Sequence, residues 1–427
     1  MSSESKPSSL PPARRALSDS FGPGLLWAAT AIGVSHLVQT TRAGADAGFA
    51  LSGVIVLALV LKYPFFEYGP RYAAATGESL IEGYRRIGKW AAWLYLAITL
   101  STALIVQSAV VVFTGFLLQT TFGVSLPLPT VTALFLTACA ALLMIGQYRL
   151  LDRTVKLILI VLAVSTLCAA TLALPRANFQ TLAAWPPASA AVPFAFILAL
   201  AGWMPSALDT AAWSSVWTLA KDRELGGRTS VAHALLDFRI GYIATSILAF
   251  AFLLLGAGVM YQSGTSFNSA GPQFSIQLIE LYSQTLGAWT RPIVLVAVVT
   301  TMFSTALTVI DGFPRVIERT VDVIRSSGDQ RDRGGDTGPV YRIAILVLGI
   351  LTVIVAALLS GSLTAMVDFA TIVSFLTSPI LGYLGLRAVT GDNVPSEHRP
   401  GRGLLVLSYA GLVLLGGTAV VFLVSLI

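Results

Sequence analysis

The chain has 427 residues, 55% of them hydrophobic and only 11% charged, with a net charge of +6 and a mean hydropathy of +0.79. Soluble domains carry roughly 25% charged residues, so this composition excludes a soluble globular protein. Long, non-alternating apolar runs exclude a membrane β-barrel and leave an all-α integral membrane protein whose surroundings are a lipid bilayer.

Residues 1–20 (MSSESKPSSLPPARRALSDS) are polar and rich in Pro and Ser, which reads as a disordered cytoplasmic tail without the apolar stretch of a cleaved signal peptide. Eleven spans follow, at about 22–48, 50–74, 90–121, 127–147, 153–174, 192–220, 238–262, 289–312, 340–361, 363–388 and 403–426. Lys and Arg gather in alternate loops: Arg71, Arg85, Arg86 and Lys89 after the second span, Arg149, Arg153 and Lys156 after the fourth, and Lys221, Arg223 and Arg228 after the sixth. Arg315, Arg319, Arg325, Arg331 and Arg333 follow the eighth, and Arg399 and Arg402 the tenth. Positive charge stays inside, so the expected topology in the plasma (inner) membrane has a cytoplasmic N-terminus and an external C-terminus. Loop-bound charge gives no reason for a nucleic-acid partner.

The Gly-rich, charged stretch 325–338 reads as a cytoplasmic linker. No GxxxxGK[ST] loop is present, which argues against ATP as a partner, and no HExxH or GxSxG motif points to an enzyme. Cys139 and Cys168 fall in apolar segments and read as small hydrophobes rather than as a disulfide or a metal pair.

Two spans carry interruptions. In the first, AIGVSHLVQTTRAGADAG (31–48) places Gly33, Ser35, His36, Gln39, Arg42 and Asp46 at membrane depth. Gly33 would end one half-helix and Ser35 cap the next. In the sixth, ILALAGWMPSALDTAAWSSVW (197–217) has Gly202 and Pro205 as breakers and Ser206 as the expected cap. Breaks in spans one and six are corresponding positions of two five-span halves, and an odd number inverts the halves. The expected units are a first repeat over 21–174 and a second over 192–388, followed by span eleven at 403–426. Broken helices at matching points of inverted repeats place a substrate site near the midplane.

Here the sequence resembles the natural-resistance-associated macrophage protein (NRAMP) divalent-metal transporters. Gly22-Pro23-Gly24-Leu25-Leu26, Arg42-Ala43-Gly44-Ala45, Ala75-Thr76-Gly77 and Ala201-Gly202-Trp203-Met204-Pro205-Ser206 stand in register with family motifs. The resemblance implies a leucine-transporter-like fold, a 5+5 inverted repeat with an eleventh helix, and alternating access. It also marks departures. The family's Asp-Pro-Gly-Asn is Gly33-Val34-Ser35-His36 here, and the tenth-span Asn-Val-x-Gln is Thr371-Ile372-Val373-Ser374. The third-span acids and sixth-span histidines tied to proton transfer are missing. The scaffold is kept while the metal site and proton relay are not.

The candidate substrate site is therefore Gly33, Ser35, His36, Gln39, Trp203, Met204, Ser206, Asp209, Thr371 and Ser374. One His and one Met make a poor transition-metal site. Restarted helices present N–H groups and partial positive charge, which fits a small anion, bicarbonate first. The alternative is a divalent cation, Mg²⁺ or Mn²⁺, moved without proton coupling on Asp209, Asp46, His36 and Met204. Arg42 and Asp46 read as an i, i+4 ion pair in the outer vestibule, or Arg42 as a lure for anions. Lys62 and Glu67 read as a mutual pair or as snorkelling groups, and Asp311 and Asp368 as capping or gating groups. Ser304 and Thr305 are the candidate ligands for a coupling Na⁺, with no other cofactor expected. The sequence leaves the oligomeric state open. Ser35 and His36 as a nucleophile and base are disfavoured, because neighbours on a helix point about 100° apart.

Overall fold

The computed structural model describes residues 22–183, 192–261, 267–326, 338–358 and 362–427, and helices carry most of them. The expected tail (1–20) and all but the ends of the expected linker (325–338) lie outside the described residues. α1 (Pro23–Ala31) and α2 (Thr41–Ala47) form span one, joined by a bend and a π-helical turn, Ser35–Thr40. α3 (Ser52–Thr76) is span two, the amphipathic α4 (Leu80–Ile87) follows, and α5 (Lys89–Phe122) is span three. α6 (Leu128–Ala173) carries spans four and five. α7 (Phe194–Gly202) and α8 (Thr210–Leu225) are the halves of span six. α9 (Val231–Leu255), prolonged by a π turn, Gly256–Met260, is span seven. α10 (Gly271–Leu286) precedes α11 (Arg291–Arg325), span eight. α12 (Pro339–Leu358), α13 (Leu363–Val389) and α14 (Arg402–Ser425) are spans nine to eleven.

Among the described residues, 8 helical segments are long and apolar enough to cross a membrane, and Leu128–Met144 is apolar but shorter. The other two expected crossings are the broken spans, whose halves are individually too short. Spans four and five differ from expectation, because helix runs through the connection instead of stopping at a loop. The segment Gln147–Asp152 holds no glycine or proline to stop it. The element nevertheless doubles back. Leu128 lies against Gly115, Phe116 against Gly271, and Ala173 against Gly258, so both ends of α6 sit on one face of the bundle. A straight 46-residue helix would be about 69 Å long and could not place its ends so. The charge pattern leads one to expect this face outside, and it is called the outer face below.

Span one is held to span seven at both ends by close glycine contacts. A Cβ on Gly24 would lie 2.5 Å from the Asp237 carbonyl, and Cβ atoms on Gly44 or Gly256 would strike the facing backbone at Leu253 and Thr41. Without a hydrophobic drive between helices in lipid, such backbone approach is what packs membrane helices. Asp237 Oδ2 also accepts the N–H groups of Gly22 (3.2 Å) and Gly24 (2.7 Å), capping the start of α1. Trp27 joins spans one, two, six and seven. It stacks on Tyr242 at 5.5 Å, touches Phe66 at 5.1 Å, and donates its indole N–H to Thr210 Oγ1 at 3.0 Å. Both broken helices are thereby fixed against continuous ones, with their interruptions facing one another.

Candidate functional site

The break in span one begins where Ile32 leaves the helix (φ −83°, ψ 78°). Helix resumes when the N–H groups of His36 and Leu37 find the Gly33 carbonyl at 3.1 and 2.9 Å. Ser35 does not cap this restart. Its hydroxyl donates back to Ala31 O at 2.5 Å, tying the two halves together. In span six the expected cap, Ser206, lies inside an open segment and the second half-helix starts later, at Thr210, with Asp209 at its N-cap. Pro205 lacks an N–H and shapes this gap, which is longer than one cap residue would bridge.

Between the breaks lies a cavity of about 30 Å³, walled by Ser35, Trp203, Ser206, Asp209, Trp213 and Thr305 together with Thr30, Val106, Val110 and Phe313. Each of these residues is buried, so the cavity lies deep among the helices. By the measure that a water needs roughly 10–15 Å³ of such space, it holds about two waters. That is the scale of a small inorganic ion. Two of its wall residues carry buried polar atoms without a hydrogen-bond partner, the acceptor Asp209 Oδ1 and the donor Trp213 Nε1. Buried polar groups are nearly always satisfied, so an orphan pair beside a cavity marks the place of a ligand or water.

Four of the expected substrate residues reach this wall: Ser35, Trp203, Ser206 and Asp209. The others serve nearby. Gly33 faces span eight, where a Cβ would lie 2.6 Å from the Thr305 side chain. His36 turns away from the cavity; its Nε2–H donates to Thr245 O at 3.0 Å, and its Nδ1 sits 2.7 Å from Ser35 Oγ. The π turn thus brings together two neighbours that a regular α-helix would splay. With Ser35 donating to Ala31 O and the other ring nitrogen held by a backbone carbonyl, the pair fastens the break and has no third group to activate it. Met204 is fully buried outside the wall. Ser374 accepts the Trp203 indole N–H at 2.8 Å, closing the cavity toward span ten.

Arg42 departs from expectation most clearly. Asp46 is exposed, and the Arg42 guanidinium reaches across to span ten, donating to Asp368 Oδ1 at 2.7 Å and Oδ2 at 3.3 Å. Gln39 joins the contact, accepting from Arg42 at 3.0 Å and donating to Asp368 at 2.9 Å and Thr371 at 3.2 Å. Phe196 lies under the guanidinium at 4.7 Å. An intrahelical pair would leave Asp368 alone at the span's half-buried edge; the interhelical pair satisfies it bidentately. The result is a latch across the outer side of the cavity.

Lys62 is the residue whose role the sequence hid. It does not pair with Glu67, which is bound by Arg71 at 2.5 Å and by Arg239 at 3.5 Å. It is fully buried and points its ammonium into the span-six break, donating to Ala201 O (3.2 Å), Gly202 O (2.9 Å) and Ser206 O (2.8 Å). Asp209 acts on it electrostatically from the other lip of the break. The signal available in sequence was a lysine mid-span beside Pro64; its partner could not be read, because carbonyls carry no sequence signature. Asp311 is likewise a hub. It takes Arg315 (2.6 and 2.9 Å), Tyr341 (2.8 Å) and Trp217 (3.2 Å), joining spans six, eight and nine on the inner side.

Thr305 donates between Ala29 O (3.2 Å) and Ile32 O (3.3 Å), so its hydroxyl serves the carbonyl end of α1, while Ser304 Oγ is buried without a partner. Cys139 and Cys168 are both free thiols, the first buried and the second on the periphery.

The family profile for natural resistance-associated macrophage protein-like proteins matches residues 24–425. An uncharacterized protein of Pasteurella multocida (strain Pm70) is 34% identical over 408 residues, covering 94% of this chain and 91% of that protein. A manganese transporter of Eremococcus coleocola carrying a single substitution matches with a TM-score of 0.68 at 15% identity, over 98% of this chain and 89% of the other. MhsT in complex with L-phenylalanine gives 0.64 at 14% identity, over 94% and 98%. A Na⁺-coupled sialic acid symporter gives 0.60 at 12% identity, over 94% and 89%. These likenesses show the fold, which is leucine-transporter-like with a 5+5 inverted repeat, broken first and sixth helices and an eleventh helix. Together with the family match they make the protein a multi-pass secondary transporter rather than an enzyme. With both broken spans meeting at one buried cavity and the match running nearly end to end, the chain belongs to the natural resistance-associated macrophage protein family.

Proposed function

We propose that the cargo is a small anion carrying its own hydrogen-bond donor, bicarbonate first, moved by alternating access through the cavity between spans one and six. The observation that carries this reading is the pair of orphan groups beside one small cavity, an acceptor on Asp209 and a donor on Trp213. Bicarbonate has an O–H for the first and oxygens for the second. Ser35 and the restart of span one, where Gly33 replaces an acid, leave the other wall free of negative charge. Lys62 offsets the charge of Asp209, so an anion does not meet a bare carboxylate.

A second reading, a divalent cation such as Mg²⁺ or Mn²⁺ without proton coupling, is favoured by one fact: Asp209 is the sole ionisable side chain among the wall residues. Against it, no three His, Cys, Asp or Glu side chains gather among the described residues. His36 and Met204 do not reach the wall, and Asp46 is exposed. Sodium coupling at Ser304 and Thr305 requires the Thr305 hydroxyl to turn from donor to ligand at the same carbonyls.

Asp209→Asn separates the two. Asparagine keeps an acceptor but loses the charge, and a unit charge at 4 Å is worth about 4 kcal/mol at an effective dielectric of 20. The anion reading expects bicarbonate uptake into proteoliposomes to persist or rise, with Trp213→Phe lowering it. The cation reading expects Mg²⁺ uptake that Asp209→Asn abolishes. Loss of bicarbonate uptake in Asp209→Asn with Trp213→Phe unaffected would contradict the proposal.

A further inference from the structure

Breaking a helix in a bilayer strands carbonyls at the C-terminal end of its first half, where the helix dipole adds partial negative charge. In transporters with discontinuous helices such carbonyls coordinate a free cation. Here Ala201 O and Gly202 O end the first half and Ser206 O lies in the open segment, and Lys62 Nζ donates to all three at 2.8–3.2 Å, Ala201 O also accepting the Met204 N–H at 3.4 Å. An ammonium has three donors, so the match is complete. The side chain is fully buried, and the face of Phe66 lies 5.6 Å from Nζ. A Cβ on Gly202 would strike Thr371 O, so the carbonyl cage is pressed against span ten and has little freedom to rearrange.

We propose that Lys62 is a tethered cation: its ammonium fills the carbonyl cage of the span-six break, so that this break needs no free cation in the transport cycle. The inference rests on the transporter assignment and on the cage, and not on the identity of the cargo. Its chemistry also specifies what replaces it, namely a small alkylammonium or ammonium ion able to donate to three carbonyls. The charge fixed at the cage faces Asp209 across the break, so removing it leaves that carboxylate without its counter-charge.

Chemical rescue tests this. Lys62→Ala leaves a hole into which methylammonium fits; Lys62→Met fills the hole without charge. Melting temperatures of the purified full chain in detergent are measured with methylammonium chloride and, at equal ionic strength, choline chloride, whose cation is too large for the hole. The expected result is that methylammonium raises the melting temperature of Lys62→Ala by several degrees relative to choline. Wild type and Lys62→Met should show no such difference. This readout needs no cargo, so failure of the bicarbonate reading leaves it intact. In proteoliposomes equilibrated with either salt on both sides, bicarbonate uptake should fall at least tenfold in both variants and recover with methylammonium in Lys62→Ala alone. Wild-type levels of bicarbonate uptake in Lys62→Met, or a folded Lys62→Ala whose melting temperature is indifferent to methylammonium, would overturn the proposal. So would failure of both variants to fold even when produced in methylammonium, which would assign Lys62 to the scaffold alone.

Discussion

His36 has the side chain most easily mistaken for a ligand in this sequence, and the structure spends it on the backbone. Its two ring nitrogens join the span-one break to Thr245 of span seven and to Ser35. His36→Ala removes a packed ring and strands the carbonyl it served. A cavity of that size and an orphaned acceptor together cost about 2–5 kcal/mol, so the variant should show a clear drop in thermal unfolding temperature. In the protein that remains folded, KM for the cargo should be unchanged, because His36 does not reach the cavity. A raised KM at unchanged stability would make it a ligand after all. Residue roles of this kind were the least legible part of the sequence. That Ser35, Trp203, Ser206 and Asp209 lie beside the breaks, where the cavity is, could be read from the two breaks alone. Lys62 could not, since its partners are backbone carbonyls, and Arg42 could not, since its partner lies 326 residues away.

At the scale of elements, two contacts decide what must move. Spans one and seven are joined through close glycine contacts at both ends, which ties the two helices together. The Arg42–Asp368 latch, partly exposed at 14% and 27%, joins span one to span ten across the outer side of the cavity. A bidentate pair of this exposure couples by about 1 kcal/mol. Arg42→Ala or Asp368→Ala should therefore shift the population toward an outward-open state. A cysteine introduced at Gln39 in a background lacking Cys139 and Cys168 should then react several-fold faster with a membrane-impermeant thiol reagent. The exchanged pair, Arg42→Asp with Asp368→Arg, should restore slow labelling. Equal labelling in all four proteins would show that the contact latches nothing. Sequence placed the breaks correctly to within a few residues, but it misjudged their caps. Ser35 and Ser206 have the right chemistry for an N-cap, yet the span-one turn already begins at Ser35, whose hydroxyl donates back to Ala31 O, and the second half of span six starts only at Thr210.

For the whole molecule, composition and run length were enough to identify an all-α membrane protein, and the paired breaks in spans one and six were enough to read an inverted repeat. Those features are global averages and periodicities, which tertiary context does not overwrite. The connection between spans four and five was misread as a loop because six polar and apolar residues without a breaker give no local signal. The positive-inside pattern carries its own prediction. A tag at Ile427 should be accessible from outside intact cells, and one within 325–338 only after permeabilisation; access to both from one side would refute the eleven-span topology. The central claim is that this scaffold moves a small anion and not a metal. Its most direct test is uptake by wild-type proteoliposomes of labelled bicarbonate at alkaline pH, of Mg²⁺ and of Mn²⁺, each with and without a sodium gradient. Saturable bicarbonate uptake with no Mn²⁺ or Mg²⁺ flux is the expected result, and saturable metal uptake with bicarbonate at the level of empty vesicles would contradict it.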